Sequence, residues 1–262
     1  MNYNFITPEF DLKCDRRAAS LVSMLRSRDR VYITDSPDEI KGIDSPIVIL
    51  PFFISDARAA SLLEAIPDKS PVFGGHEGTA SRDVINRKGL LYTDILNEET
   101  FCRENALITA EAAMSLIINA TDTTLHSMRI AVFGYGRIGQ RLTRMLLSVG
   151  ASVRVFTSDP EELELARTRG ISACHLWQRD KMSDFGALVN TVPLKHVVDA
   201  ETLEALSPDV YILDLASGEN NVNWGKMHSL SLKGERGGSL PQRISPVSAA
   251  LAVKNAIFRH LS

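Results

Sequence analysis

Three glycines at a fixed spacing carry the clearest chemistry in this sequence. They are Gly134, Gly136 and Gly139 of GYGRIG, inside MRIAVFGYGRIGQRL at 128–142. An apolar run precedes them and an amphipathic pattern follows, so the motif falls where a strand turns into a helix. At such a corner the first glycine permits the tight turn and the second lets the backbone approach a pyrophosphate. The third lets helix and strand pack closely, while the helix N-terminus offers N–H groups and a positive dipole end to phosphates. Residues 134–139, with Tyr135, Arg137 and Ile138 between the glycines, therefore read as a dinucleotide-binding corner. The competing reading is a strand-to-helix turn with nothing bound.

The choice of dinucleotide is read further along. An acidic residue about 20 positions on, at the end of the second strand, commonly binds the ribose 2′-hydroxyl of NAD. Here that strand ends VRVFTSDPEE, with Thr157 and Ser158 at its tip. Two hydroxyls there can donate to a 2′-phosphate. Asp159 precedes Pro160 and lies three residues before Glu162, the pattern of a helix N-cap. The expectation is NADP, with NAD as the alternative. NTVP at 190–193 falls at the carboxyl end of a later strand, where open α/β sheets bind ligands. Asn190, Thr191, Val192 and Pro193 are candidate cofactor contacts, against the alternative of a polar turn. LDLASGENN puts Asp214, Ser217 and Gly218 on the same rim.

Strand-like and helix-like segments alternate through the chain, which is the pattern of α/β architecture with a mainly parallel sheet. RVYIT, SPIVILPFF, SPVFGG, SVRVFT, ALVNTV and VYILDLA read as strands, and SLSLKG as a further one. RRAASLVSMLRS, DARAASLLEAI, PEELELARTRG and SPVSAALAVKNAIFRHL read as helices. NALITAEAAMSLIINAT reads as a linking helix near 109–120 with Thr109 as N-cap. The resulting division is an N-terminal α/β domain at 1–125 and a dinucleotide-binding domain at 126–262. Whether the closing helix packs back on the first domain is left open.

Composition bounds the rest. The chain has 262 residues, 44% hydrophobic and 23% charged, with a net charge of -3. The mildly acidic balance argues against a nucleic-acid partner, which favours a basic surplus. No apolar run approaches the roughly 20 residues that span a bilayer, and the opening MNYNFITPEFDLK lacks a signal-peptide core. Cys14, Cys102 and Cys174 have no metal-ligand spacing, so reduced thiols, no metal and a cytoplasmic location are expected.

Beyond these motifs the sequence resembles the dipicolinate synthase family, in its dehydrogenase-like subunit. The resemblance rests on NALITAEAAM, IAVFGYGRIGQRLTRMLLSVGASVRV, LVNTVP, YILDLASG and LPQRISPVSAA, which span most of 105–255 in the family's order. VILPFF, VFGG and Asp15–Arg16 before a helix fit more loosely. It implies NADP-linked oxidation of dihydrodipicolinate to dipicolinate, a flavoprotein-like second subunit and the mother cell of a spore former. It also implies a Rossmann-type doubly wound domain beside a smaller α/β domain. The chain departs from the family in two places. DLKCDRR stands where the family has a glycine-containing turn. Gln242, Val247 and Ala250 replace Gly, Lys and Gly of the family's closing motif.

A dicarboxylate substrate asks for cations and hydroxyls, Arg being best suited to bidentate binding. Arg243 matches a basic position of the closing motif, and Ser245 and Ser248 follow it. Arg16 and Arg82 are further candidates from the first domain. His76 in GGHEG follows a buried strand on a glycine turn and is the candidate base. Arg243 is named with it for catalysis. Substrate is then expected between the domains, against NTVP, ASG and the start of the final helix. A dehydrogenase of another small carboxylate and a non-catalytic dinucleotide-binding subunit are the alternatives. A homo-oligomer is compatible with either.

Overall fold

The computed structural model describes residues 3–9, 15–179 and 182–261. Cys14 and the rest of DLKC lie outside the described residues, whereas Cys102 and Cys174 are thiols outside any disulfide. The chain divides into two compact units, 1–105 together with 241–262, and 106–240.

The first unit alternates strand and helix. Its elements are β1 (Asn4–Thr7), α1 (Arg16–Arg26), β2 (Arg30–Ile33), α2 (Pro37–Lys41) and β3 (Pro46–Ile49). They continue with α3 (Asp56–Ala65), β4 (Pro71–Gly74), α4 (Thr79–Lys88), β5 (Leu91–Asp94) and the start of α5 (Glu99–Thr121). The strands pair in the order β2-β1-β3-β4-β5, every neighbour parallel. A sheet covered on both faces wants unbroken apolar strands, and PIVI of β3 is buried at all four positions. Asp15 caps α1 by accepting the N–H groups of Arg17 at 2.8 Å and Ala18 at 3.3 Å. The C-terminal helix of the chain, Pro246–Leu261, packs against α1 and buries Ala249, Val253, Ala256 and Ile257.

The expected N-cap of the linking helix is not where the helix begins. Thr109 lies buried inside α5, ten residues past its start. At that start Glu98 accepts the N–H of Phe101 at 2.9 Å and binds Arg259 at 2.6 Å. Desolvation works against the Glu98 carboxylate. The Arg259 bond and the Phe101 N–H outweigh it, holding the carboxyl below its ordinary range.

The second unit has β6 (Arg129–Phe133), α6 (Arg137–Ser148), β7 (Ser152–Thr157), α7 (Pro160–Thr168), β8 (Ser172–His175) and β9 (Ala187–Asn190). Then follow α8 (Ala200–Ala205), β10 (Tyr211–Asp214), α9 (Trp224–Ser229), β11 (Lys233–Arg236) and α10 (Leu240–Ile244), with α11 (Pro246–Leu261) ending the chain. The six strands lie in the order β11-β10-β9-β6-β7-β8, all parallel. That is the doubly wound Rossmann order, and its reversal falls between β6 and β9. Alternate residues of β6 feed two cores. Ile130 and Val132 join α5 and α6 through Ala113, Ile117, Leu142 and Leu146. Ala131 and Phe133 face Phe156, Phe185, Leu188 and Ile212. The strand expected over SLSLKG begins later, at Lys233, because α9 runs to Ser229 and Ser231 turns through φ +55°. Among the described residues no helix is long and apolar enough to cross a membrane.

Candidate functional site

The glycine corner joins β6 to α6 at the switch point of the sheet. Gly134 has φ +91°, in the region that favours glycine, and a Cβ there would strike Thr191 Oγ1 and Val192 Cγ2. A Cβ on Gly139 would fall on the carbonyl oxygen of Gly134. The protein's own packing therefore demands both glycines. Gly136 is different: the nearest atom to a Cβ built there is Glu162 Oε1, at 3.5 Å, an ordinary contact. Its φ of -69° and ψ of -161° suit any residue. Contacts within the fold do not demand glycine at 136, and a residue without a side chain is what close approach of a pyrophosphate to the α6 N-terminus needs. The corner fits a dinucleotide.

Tyr135 is only 1% exposed, with its ring in the core, so its backbone alone faces the corner. The Tyr135 N–H donates to Glu162 Oε2 at 2.9 Å. The Thr157 hydroxyl donates to the same oxygen at 2.6 Å and accepts the Asp159 N–H at 3.2 Å. Thr157 is 3% exposed. Its hydrogen is committed within the protein, so it supports the loop and has no proton to give a 2′-phosphate. Ser158, Arg137 and Ile138 keep surface at the corner. Asp159 is the cap of α7, accepting the N–H groups of Glu161 and Glu162 at 2.8 and 3.3 Å.

Asn190 ends β9 fully buried. Its side-chain amide donates to Asp214 Oδ1 at 2.8 Å and to the Val192 carbonyl at 3.2 Å, and its oxygen accepts the Val192 N–H at 3.0 Å. Asp214 also accepts from Asn221 at 3.3 Å. Asn190 thus shapes the loop carrying Val192 and Pro193 rather than offering its amide to a ligand. The Thr191 hydroxyl is bound to the Phe133 carbonyl at 2.8 Å, which fastens this loop to the glycine corner. Val192 and Pro193 retain exposed surface, as do Ser217 and Gly218 beyond β10.

The substrate candidates fall in the first unit. Arg16 Nη1 donates to the Arg243 carbonyl at 3.1 Å, so the start of α1 and the segment before α11 meet. Arg243 and Ser248 are exposed and Ser245 is half-buried, directly before α11. Arg82 pairs with Glu77 at 3.4 Å. His76 follows β4 with φ +51°, its Nδ1 3.8 Å from Asp94 Oδ2. It borders a cavity lined by Asp56, Glu77, Ser81 and Tyr92. There the Ser81 hydroxyl and backbone hold the Asp56 carboxyl below its ordinary range, while burial, then Asp94 and Glu77, push the Tyr92 phenol up.

Two features escaped the sequence. Glu162 reads there only as part of a helix start, and the Asp214–Asn190–Asn221 network joins residues far apart in the chain.

This chain is similar to a dipicolinate synthase subunit of Bacillus subtilis (strain 168), at 23% identity over 201 residues, covering 76% of this chain and 67% of that protein. Among solved structures it resembles a dipicolinate synthase subunit from Bacillus halodurans, with a TM-score of 0.78 and 17% identity over 99% of this chain and 98% of that one. The dipicolinate synthase structure from Bacillus subtilis gives a TM-score of 0.79 at 17% identity, covering 100% of this chain and 96% of that one. At these identities the structural likeness shows the fold. Residues 93–223 match the family model described as D-isomer specific 2-hydroxyacid dehydrogenase, NAD binding domain. The glycine corner falls inside that match, which supports a nicotinamide dinucleotide as the cofactor class of the domain. The match takes in half of the sequence, and the chain belongs to the D-isomer specific 2-hydroxyacid dehydrogenase family through its NAD binding domain.

Proposed function

We propose that this chain is the dehydrogenase subunit that oxidises dihydrodipicolinate to dipicolinate, working with a flavoprotein-like second subunit. The observation that carries the reading is the glycine corner: Gly134 and Gly139 admit no Cβ, and Gly136 is glycine although a Cβ there would meet only Glu162 Oε1, at an ordinary 3.5 Å. The similarity to a protein named as a dipicolinate synthase subunit supports the substrate class. The reaction removes two hydrogens from the ring, one as hydride and one as a proton. A bound oxidised nicotinamide would accept the hydride.

The chain's own residues do the rest. Gly136 and the α6 N-terminus receive the phosphates, and the 191–193 loop is held to the corner by Thr191. Arg243 binds one substrate carboxylate, aided by Arg16, Ser245 and Ser248. His76 takes the proton, with the Asp94 carboxylate 3.8 Å from its Nδ1. NADP is the expectation from Thr157 and Ser158, but with the Thr157 hydroxyl committed to Glu162 only Ser158 is left to serve a 2′-phosphate, and NAD, the alternative, is the dinucleotide proposed for this site.

Arg243→Ala is expected to weaken dipicolinate binding by about 1.5–3 kcal/mol, the range for hydrogen bonds to charged groups. Dinucleotide affinity should stay the same. Calorimetric titration reads both, and loss of dinucleotide with dipicolinate retained would make Arg243 a phosphate ligand.

The function itself is tested with freshly generated dihydrodipicolinate and either dinucleotide, with and without the second subunit. Reduced dinucleotide and dipicolinate should appear in equal amounts. Dinucleotide binding without any protein-dependent dipicolinate would leave a binding subunit and end the catalytic proposal.

A further inference from the structure

We propose that Glu162 selects the dinucleotide, accepting the free ribose hydroxyls of NAD and turning away the 2′-phosphate of NADP. This rests on the second unit being a dinucleotide site. The carboxylate is fixed by two donors, the Tyr135 N–H at 2.9 Å and the Thr157 hydroxyl at 2.6 Å, both on Oε2. Tyr135 lies between the first two glycines of the motif, so the corner itself positions the acid. A carboxylate accepts about four hydrogen bonds. Oε1 has no hydrogen-bond partner among the described residues and lies 3.5 Å from the Cβ position of Gly136. The free acceptor is thus turned to the one glycine that the fold does not need.

The surroundings sharpen the preference. Thr157, the hydroxyl at the strand end, already donates to Glu162 and has no proton left for a phosphate. Asp159 at the N-cap and Glu161 on the first turn of α7 add two more carboxyl groups, both exposed. Arg137 is the single cation within the motif, and it stands at the opening of α6 rather than at the strand end. Arg169, which reaches the corner from the end of α7, is engaged by Gln140 at 3.0 Å and the Tyr135 hydroxyl at 3.5 Å. A ribose diol donates hydrogen bonds, as this carboxylate requires. A 2′-phosphate brings further negative charge and no donor in its ionised form.

The acid does not come from the strand end, where Rossmann domains commonly carry it. It comes from the first turn of the following helix and folds back over the strand tip. Sequence spacing therefore hides it behind the capping pattern of Asp159 and Pro160.

The test is calorimetric titration of the whole chain with NADH and with NADPH, followed by the same titrations on Glu162→Gln. The unaltered protein should bind NADH at least tenfold more tightly. Glu162→Gln keeps an acceptor for the Tyr135 N–H and removes the charge, so the preference should shrink tenfold or more, mainly through a gain for NADPH. Equal or tighter binding of NADPH by the unaltered protein would overturn the proposal, whatever the variant does. So would a folded Glu162→Gln protein with the original ratio. If neither dinucleotide binds the unaltered protein, the dinucleotide reading falls first and the role of Glu162 falls with it.

Discussion

Gly136→Val should yield a folded protein that has lost dinucleotide binding. The backbone at 136 has a negative φ of -69° in the extended region, and a Cβ there meets Glu162 Oε1 only at 3.5 Å. Stability should therefore change by about 1 kcal/mol or less, a small part of the roughly 5–15 kcal/mol that holds a domain. The added methyl groups would occupy the space a pyrophosphate must enter. A loss of at least a hundredfold in affinity is expected, about 2.7 kcal/mol. Circular dichroism and calorimetric titration read the two quantities separately. A folded variant with unchanged affinity would reduce the corner to a turn.

Gly139→Val should fail in the opposite way. Its Cβ would fall on the carbonyl oxygen of Gly134, which is backbone inside a turn that also binds the Phe156 carbonyl through the Gly134 N–H at 2.7 Å. The helix would have to move off the sheet, at the upper end of the overpacking range, about 3 kcal/mol. For a domain of this size that lowers the melting temperature by roughly 6–12 °C. Thermal unfolding checks it. A melting temperature within about 2 °C of the parent would mean that α6 and β6 do not need this close approach. The paired variants separate a glycine kept for the fold from a glycine kept for a ligand.

The second unit was largely legible because its central strands are apolar and buried along almost their whole length. RIAVF, SVRVFT, ALVN and YILD announce buried parallel strands, and GYGRIG marks the turn that joins the first of them to its helix. NFIT, LYTD and SACH mix polar with apolar residues in only four positions, and they form where their neighbours in the sheet pair with them. Thr109 misled for a related reason. A threonine before an apolar stretch looks like a cap, but the charged turn ETFCREN ahead of it is helical too, started by Glu98.

The fold brings several of the candidate residues together, and it gives two of them internal partners that the sequence does not show. Gly134, Gly136, Gly139 and the NTVP loop meet at the switch point, as strand ends in an open sheet must. Thr157 and Asn190 have the polar groups a ligand could use, but burial and internal partners consume them. Those partners lie in other elements, Glu162 on α7 and Asp214 at the end of β10. Local spacing carries no signal for such pairs. Tyr135 and Glu162 are 27 positions apart and Asn190 and Asp214 are 24 apart, distances that only the folded sheet closes.

The central claim, that the glycine corner receives a dinucleotide, is tested most directly by following the backbone amide resonances of the unaltered chain during titration with NADH. Saturable shifts are predicted at Gly134–Gly139 and at Thr191 and Val192, with those of β11 unmoved. Saturable binding that leaves the amides of Gly134–Gly139 in place would contradict it.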